Sequence, residues 1–209
     1  REMAAAHRAG YQLISIEDHT RAHWTKDEQS NAALVVDFLQ HLMNEHDFDY
    51  TLRTFDSGAY MQHNRAISDQ VSGVVDYVKT LAGRFPEYGY DVKFIIASGD
   101  RVVVHSHVTL KASHRGNDRK GFIITDTFRI EDGKLAEHWD AIQPIDLFAR
   151  FIVLMTGGSV ANNNPTFRVR SPVPRPIVFH AHLILKMAPT CHDEYLPPPI
   201  SLDNSEMFS

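Results

Sequence analysis

The 209-residue sequence predicts an α+β fold in which helices come first and an antiparallel sheet follows. Apolar residues recur at helical spacing over residues 30–43 and again over 71–85. From Tyr90 onward the apolar period changes to two, which is typical of strands that bury one face. A Glu-Asp-Gly-Lys turn at residues 131–134 then joins two strands, because Asp-Gly favours the positive φ values of a short hairpin. Long strands twist, so we expect helices on the concave face of a curved sheet to close a cone.

Three helices are predicted before the sheet. Ser30 is the expected N-cap of the first helix. Its buried stripe consists of Leu34, Val35, Phe38, Leu39, Leu42 and Met43. A shorter helix is expected over residues 48–55, followed by an extended piece over 59–63. The third helix starts at Ser68 or Asp69 and ends before Pro86.

The sheet is predicted as a meander of four strands. In the first strand, Val92, Phe94 and Ile96 are expected to share one face. The second strand covers residues 101–112. One of its faces carries Val102, Val104, Ser106 and Val108, and the other carries Val103, His105, His107 and Thr109. The remaining strands are expected over residues 120–130 and 134–143.

The chain divides into three predicted parts. Residues 1–29 form an N-terminal arm, and residues 30–146 form the folded domain. Residues 147–209 form an extension that we expect to be largely irregular, because eight of the ten prolines lie between positions 165 and 199. Apolar stretches at 148–155 and 177–187 could dock onto the domain, cover a pocket mouth or swap onto a partner.

Composition argues against several classes of partner and location. The net charge of −5 disfavours nucleic acids and anionic membranes. No apolar run approaches the roughly 20 residues of a membrane span, and we see no secretory signal. Cys191 is the single cysteine, so no internal disulfide can form and a reducing, cytoplasmic compartment is expected.

Three segments together resemble the SnoaL-like branch of the nuclear transport factor 2-like superfamily. They are YMQHN (60–64), ASGDRVVVHSHV (97–108) and GFIITDTFRIEDGKLAEHWDAIQP (121–144). The resemblance implies a cone-shaped α+β barrel with an apolar pocket, often dimeric through the outer sheet face. Its best-known members close polyketide ester rings by aldol chemistry, with a pocket carboxylate as acid/base and without metal or cofactor. Asp140 best matches that carboxylate, and Asp126 matches a second polar pocket position.

The residues themselves favour the same pair of carboxylates. An Asp in an apolar, aromatic pocket has its pKa raised towards the range of a general base, and Asp140 lies beside Trp139 and near Phe128. Ideal hairpin register pairs Asp126 with Trp139, which puts the two aspartates on opposite faces. A β-bulge is therefore needed to bring both carboxylates into one pocket.

Other polar and aromatic residues complete the expected site. His63 is a candidate donor to a substrate carbonyl, or else bonds the backbone. We favour His105 over His107 as a pocket member, although both could lie on the outer face. His138 should share the face of Asp140, where it either orients the carboxylate or meets solvent. Tyr60 is expected to pack rather than act as an acid, and Trp139 to wall the pocket.

Our hypothesis is a cofactor-independent enzyme that performs acid/base chemistry on a small apolar carbonyl compound, as a homodimer. Asp140 is the base, with Asp126, His63 and His105 as its catalytic partners. The alternative is a non-catalytic ligand-binding or dimerisation domain of the same fold. A metal site is the rival hypothesis, because Gly99 and His105-Ser-His107 resemble the start of a cupin motif. The Glu of that motif is missing where Lys111 and Ala112 stand, so we predict no metal.

Overall fold

The computed structural model of the chain describes residues 13–156. Its helices are α1 (Ile16–His19), α2 (Lys26–Leu39), a π-helix (Gln40–Glu45), α3 (Phe48–Phe55), α4 (Gln70–Arg84), a 3-10 turn (Ala112–His114) and α5 (Leu147–Thr156). Its strands are β1 (Met61–Gln62), β2 (Gly89–Ser98), β3 (Arg101–Thr109), β4 (Phe122–Glu131) and β5 (Lys134–Pro144). The predicted helix over residues 48–55 and the start signal at Asp69 are confirmed.

Helix α2 begins earlier than expected. Thr25 is its N-cap, and a capping box joins Thr25 to Glu28: the Glu28 N–H donates to Thr25 Oγ1 (3.2 Å), and the Thr25 N–H donates to Glu28 Oε2 (2.8 Å). The prediction of Ser30 as the cap is wrong, since its hydroxyl lies inside the helix and donates to the Lys26 carbonyl. The buried Trp24 precedes the cap. The sequence prediction missed the capping-box pattern Thr-x-x-Glu at residues 25–28.

A π-helix continues α2 and fastens it to the sheet. The Asn44 side chain brackets the backbone of Tyr90: its Nδ2 donates to the Tyr90 carbonyl (3.1 Å), and the Tyr90 N–H donates to its Oδ1 (2.8 Å). The segment ends at His46, whose φ of 55° reverses the helical path. The wider turn thereby places the Asn44 side chain against the backbone of the edge strand β2.

The sheet has five strands in the order β1-β5-β4-β3-β2. β1 runs parallel to β5, and the other neighbours are antiparallel. This arrangement, with helices packed against one face of a curled sheet, confirms the α+β prediction. Two β-bulges interrupt the ladders, one after Val92 in β2 and one in the β4–β5 pair beside Arg129. Such bulges increase local twist and bend a sheet.

Register decides which side chains point towards the helices. Val102, Val104, Ser106 and Val108 of β3 pair with Phe128, Asp126, Ile124 and Phe122 of β4, and these residues form the inner face. The predicted division of β3 into two faces is therefore confirmed. The prediction for β2 fails beyond the bulge, because Val92 pairs with inner Ser106 whereas Phe94 pairs with outer His105.

The hydrophobic core lies between the inner face and helices α2 and α4. Its fully buried helical residues include Val35, Phe38, Leu39, Leu42, Val71, Val75 and Val78. The rings of Phe38 and Phe128 meet edge to face at 5.9 Å. Each such side chain contributes roughly 1.5–3 kcal/mol by burial, so this layer stabilises the packing of the helices on the sheet.

Helix α5 starts the part of the chain that was predicted to be irregular. Asp146 initiates it, since its Oδ1 accepts the N–H groups of Phe148 and Ala149, and its Oδ2 accepts that of Gly121. Ala149 is buried. The prolines at 165–199 and the apolar stretch at 177–187 lie outside the described residues. None of the helices between residues 13 and 156 is long and apolar enough to cross a bilayer.

Candidate active site

A cavity of about 370 Å³ lies between the inner sheet face and helices α4 and α5. This volume is within the range of small-molecule sites. Most of its lining is apolar or aromatic, including Met43, Tyr77, Tyr88, Tyr90, Phe122 and Ile152. Polar side chains also line it: Thr80 and Arg84 of α4, and a cluster of Gln62, Asn64, Asp126, His138 and Asp140. An apolar chamber with one polar cluster orients a ligand through a few defined contacts.

A β-bulge brings the two aspartates together. Arg129 pairs with Glu137 while Ile130 pairs with Leu135, so Ala136 is an extra residue in β5. Beyond this bulge Asp126 pairs directly with Asp140, and both carboxylates line the cavity. The bulge required by the sequence argument is present, because regular register would have turned Asp140 outward.

Asp126 forms a buried pair with His138. Its Oδ1 lies 3.0 Å from His138 Nε2, and the side chains of Asp126 and His138 are 2% and 8% exposed. Burial raises the pKa of Asp126, and nearby Asp140 adds to that rise, whereas the contact with His138 opposes it. The second oxygen, Oδ2, is buried and makes no hydrogen bond to any described residue. A carboxyl group in this setting is well suited to holding a proton.

Asp140 has a different partner. Asn64 Nδ2 donates to both of its oxygens, at 2.9 and 2.7 Å. The amide orientation is fixed because Asn64 Oδ1 accepts the N–H of Ala66 (2.9 Å). Asp140 is half-buried, and both of its oxygens accept hydrogen bonds from the Asn64 amide. Two neighbouring carboxyl groups therefore occupy distinct environments, the condition under which one serves as acid and the other as base.

Residues of β1 and the following turn complete the cluster. Gln62 is fully buried, and its Oε1 lies 2.9 Å from His138 Nδ1. Neither Gln62 nor Asn64 was among the predicted site residues, although both stand in the YMQHN segment. Their position in or next to a short extended segment beside the predicted pocket is the sequence feature that could have identified them as site residues. Pairing of β1 with β5 brings Gln62 to His138 and Asn64 to Asp140, and the members of each pair are 76 residues apart in the sequence.

Comparison with known proteins agrees with this architecture. The family model described as SnoaL-like polyketide cyclase matches residues 33–150. The chain belongs to the SnoaL-like polyketide cyclase family. A search of curated protein sequences found no significant match.

Solved structures are similar to this chain at low sequence identity. A candidate polyketide cyclase from Bacillus cereus ATCC 10987 is 14% identical, with a TM-score of 0.50 over 67% of this chain and 89% of that chain. One from Acidithiobacillus ferrooxidans is 16% identical, with a TM-score of 0.48 over 65% and 98%. TsrD from Streptomyces laurentii is 21% identical, with a TM-score of 0.46 over 66% and 100%. The first of these likenesses shows the fold, and nothing about the reaction.

His63 and Trp139 lie on the outer face of this SnoaL-like sheet, contrary to the prediction. Their rings stack at 4.3 Å. His63 Nε2 lies 3.0 Å from Glu137 Oε2, and Arg129 Nε donates to Glu137 Oε1 (2.6 Å). Side chains alternate along a strand, so a Gln62 that faces the cavity turns His63 away from it. The bulge likewise turns Trp139 outward, opposite Thr127.

His105 and His107 also lie on the outer face, so the expectation of a histidine from β3 in the pocket is wrong. His105 Nδ1 contacts Thr125 Oγ1 (2.9 Å), and its ring stacks on Phe94 at 4.7 Å. His107 Nε2 bonds the Lys120 carbonyl (2.7 Å). The residues of β3 that face the helices are the alternating set that includes Ser106. Because side chains alternate along a strand, His105 and His107 both face the other side.

Three further predicted residues surround the polar cluster. His138 lies in the cavity wall, on the face of Asp140. The ring of Phe128 packs against the His138 ring with a centroid distance of 4.6 Å. Tyr60 is buried and stacks with that ring at 6.4 Å, without lining the cavity. Burial raises the pKa of Tyr60 well above its ordinary value, and Asp126 and Asp140 add to this, which agrees with a packing role.

The same cluster is the set of described residues whose chemistry approaches that of a metal site. One ligand atom each from Asp126, His138 and Asp140 lies within 4.8 Å of the others. His105 and His107, which suggested a cupin motif, are not part of this set. The ring nitrogens of His138 and both Asp140 oxygens already have hydrogen-bond partners, so a cation would have to displace protons or amide donors.

Proposed function

We propose that this protein performs cofactor-independent acid/base chemistry on a small carbonyl compound, as an aldol-type cyclisation or an isomerisation. The observation that carries the proposal is the direct pairing of Asp126 with Asp140 at the polar end of an apolar cavity. Membership of the SnoaL-like polyketide cyclase family supports a cyclase-like or isomerase-like role.

Asp140 is the proposed general base. As a carboxylate held by Asn64, it takes the proton from a carbon next to the substrate carbonyl, and the C–H electron pair moves into the enolate. In a cyclisation the enolate carbon then attacks a second carbonyl, whose oxygen becomes an alkoxide. In an isomerisation the proton returns from Asp140 to a different carbon.

The proposed acid is the Asp126–His138 pair. It holds one proton in a buried contact and gives it to the developing enolate or alkoxide oxygen. In a cyclisation, the proton captured by Asp140 restores the pair when product leaves. In an isomerisation, the enol O–H returns its proton to the pair as Asp140 protonates the new carbon, so neither reaction consumes a cofactor. His138 thus takes the partner role that was assigned to His63 and His105, since both of those lie on the outer face.

Proton exchange tests this proposal without knowledge of the natural substrate. A panel of β-keto esters and cyclic ketones is followed by NMR in deuterated water, with native protein, Asp140→Asn and the exposed-loop control Asp118→Asn. We expect exchange with native protein and Asp118→Asn, and loss of about 10²–10⁴-fold in Asp140→Asn. Equal exchange in all three proteins would remove Asp140 from its role.

The alternative function is a non-catalytic binding or dimerisation domain. The outer sheet face favours it, because Phe94 and Ile96 are 40% and 53% exposed there. We propose that this face forms a homodimer, as family resemblance implies. Light scattering on native protein and on Phe94→Ser/Ile96→Lys tests it: a native dimer that the double variant converts to monomer supports the interface, and a native monomer excludes it.

A further inference from the structure

We propose that Gln62 is a positioning residue that keeps a proton on His138 Nδ1 and so confines the exchangeable proton of the site to the contact between His138 Nε2 and Asp126. The inference rests on the proposed function for its meaning in catalysis. It rests on hydrogen-bond geometry for its existence.

The amide of Gln62 has only one possible orientation. Its Oε1 accepts the backbone N–H of Asn64 (3.1 Å) and lies 2.9 Å from His138 Nδ1. A backbone N–H can only donate, so the atom that faces it must be the oxygen. The opposite orientation would set two donors against each other. Because that same oxygen faces His138, Nδ1 must carry a proton.

The other ring nitrogen then shares a single proton with Asp126. With Nδ1 protonated, Nε2 of a neutral imidazole is an acceptor, and Asp126 Oδ1 at 3.0 Å must be protonated to bond it. If Asp126 is ionised, Nε2 carries the proton instead. Both states hold one proton in the contact and the same total charge. The proton can therefore move between Nε2 and Oδ1 while Nδ1 stays protonated.

Local structure around Gln62 is built to hold it. Gln62 pairs in register with His138, and its backbone N–H donates to Asp69 Oδ1 (2.8 Å). Asp69 stands at the N-cap of α4, but its side chain makes no capping bond there. The next residue, Gln70, has a φ of 72° and donates its N–H to the Tyr60 carbonyl (2.9 Å). The side chain of Asp69 thus bonds β1 instead of capping α4, and Gln70 adopts a strained backbone conformation. Both features accompany the hydrogen bonds that hold β1 in place.

Asn64 extends the same device to the second carboxylate. It follows Gln62 by two residues, contributes the N–H that orients the Gln62 amide, and holds both oxygens of Asp140. Residues 62–64 thus set the hydrogen-bonding state of the proposed acid and of the proposed base from one short segment.

Nitrogen-15 NMR of the histidine rings tests the tautomer directly. The proteins are native, Gln62→Glu, which keeps an acceptor oxygen, and Gln62→Met, which is similar in size and has no amide oxygen. In native protein we expect His138 Nδ1 to stay protonated at every pH at which the fold persists. Gln62→Glu should retain that signature, and Gln62→Met should show Nε2-protonated neutral ring. Asp126, Asp140 and Tyr60 are the titratable groups facing this ring.

Native protein alone can overturn the inference: an unprotonated Nδ1 in the neutral ring contradicts it, even if Gln62→Met fails to fold. An unchanged tautomer in folded Gln62→Met contradicts it equally. Exchange assays separate this result from the proposed function. If the native tautomer is as expected but no α-proton exchange occurs, the role of Gln62 stands and the proposed enzymatic function is rejected. If exchange occurs but Nδ1 is unprotonated, only the role of Gln62 is rejected. If both hold, Gln62→Met should lose at least about tenfold in exchange rate and Gln62→Glu less.

Discussion

Asp126 and Asp140 lie opposite each other on adjacent strands, and only Asp126 is fully buried. Asp126 contacts an imidazole, and Asp140 accepts two bonds from an amide. Two identical side chains at one register position thus meet different surroundings. This asymmetry leads to separate expectations for the acid, the base and the scaffold that holds them.

Asp126 should make stability depend on pH. Because burial raises its folded-state pKa above the ordinary value of 3.8, the folded state holds this proton more tightly than the unfolded chain. The contribution is fully present below that value and is lost as pH rises through the raised folded pKa. Each unit of difference corresponds to about 1.4 kcal/mol. Urea unfolding at several pH values should show that the free energy of unfolding of Asp126→Asn increases relative to that of native protein as pH rises. The free energy of unfolding of Asp118→Asn should follow that of native protein at every pH.

Asn64→Ala should release the proposed base. Two bonds from Asn64 to Asp140 disappear, and hydrogen bonds to a charged group contribute roughly 1.5–3 kcal/mol. We expect lower stability by about that amount in urea unfolding, together with slower α-proton exchange. Asn117→Ala is the control: it removes one exposed hydrogen bond from the Arg119 N–H, so it should lower stability by no more than about 1 kcal/mol and leave exchange unchanged. Full exchange activity in folded Asn64→Ala would show that Asp140 needs no positioning.

Glu137→Gln should destabilise the fold without touching the cavity. Glu137 is 1% exposed and pairs with buried Arg129 and with His63 on the outer face. Removing its charge leaves a buried guanidinium without its main partner, at a cost of about 3 kcal/mol or more. Glu131→Gln is the matched control, because Glu131 is 56% exposed and such pairs contribute less than about 1 kcal/mol. A cost no greater than that of the control would show that Arg129 is satisfied without Glu137.

Thr25→Ala should weaken α2, whereas Ser30→Ala should not. Thr25 is the N-cap, and loss of such a cap typically costs about 1 kcal/mol. Ser30 lies within the helix, where alanine has the higher helix propensity. Thermal unfolding of both variants compares the two candidate starts of the helix. A larger loss from Ser30→Ala would return the cap to Ser30.

Chelation should leave the proposed reaction unchanged. The three side chains that approach a metal-binding arrangement already exchange hydrogen bonds with one another or with Gln62 and Asn64. Dialysis against EDTA, with total metal measured before and after, should not alter α-proton exchange. Loss of exchange that Mn²⁺ or Zn²⁺ restores would identify Asp126, His138 and Asp140 as ligands.

Local pattern was sufficient for most of the architecture. A period of 3.6 residues placed the helices, a period of two placed the strands, and the Asp-Gly turn marked the hairpin. The same pattern divided β3 correctly into two faces. It could not decide between His105 and the inner set, because alternation states which residues share a face but not which face the helices cover.

Tertiary structure decided the site. One extra residue, Ala136, turns Asp140 and His138 inward and Trp139 outward, since a shift of one position exchanges the two faces of a strand. Gln62 and Asn64 enter through a two-residue strand that exists only by pairing with β5. Neither effect leaves a periodic signal in the sequence, because a bulge and a short edge strand are stabilised by contacts with distant residues rather than by local propensity.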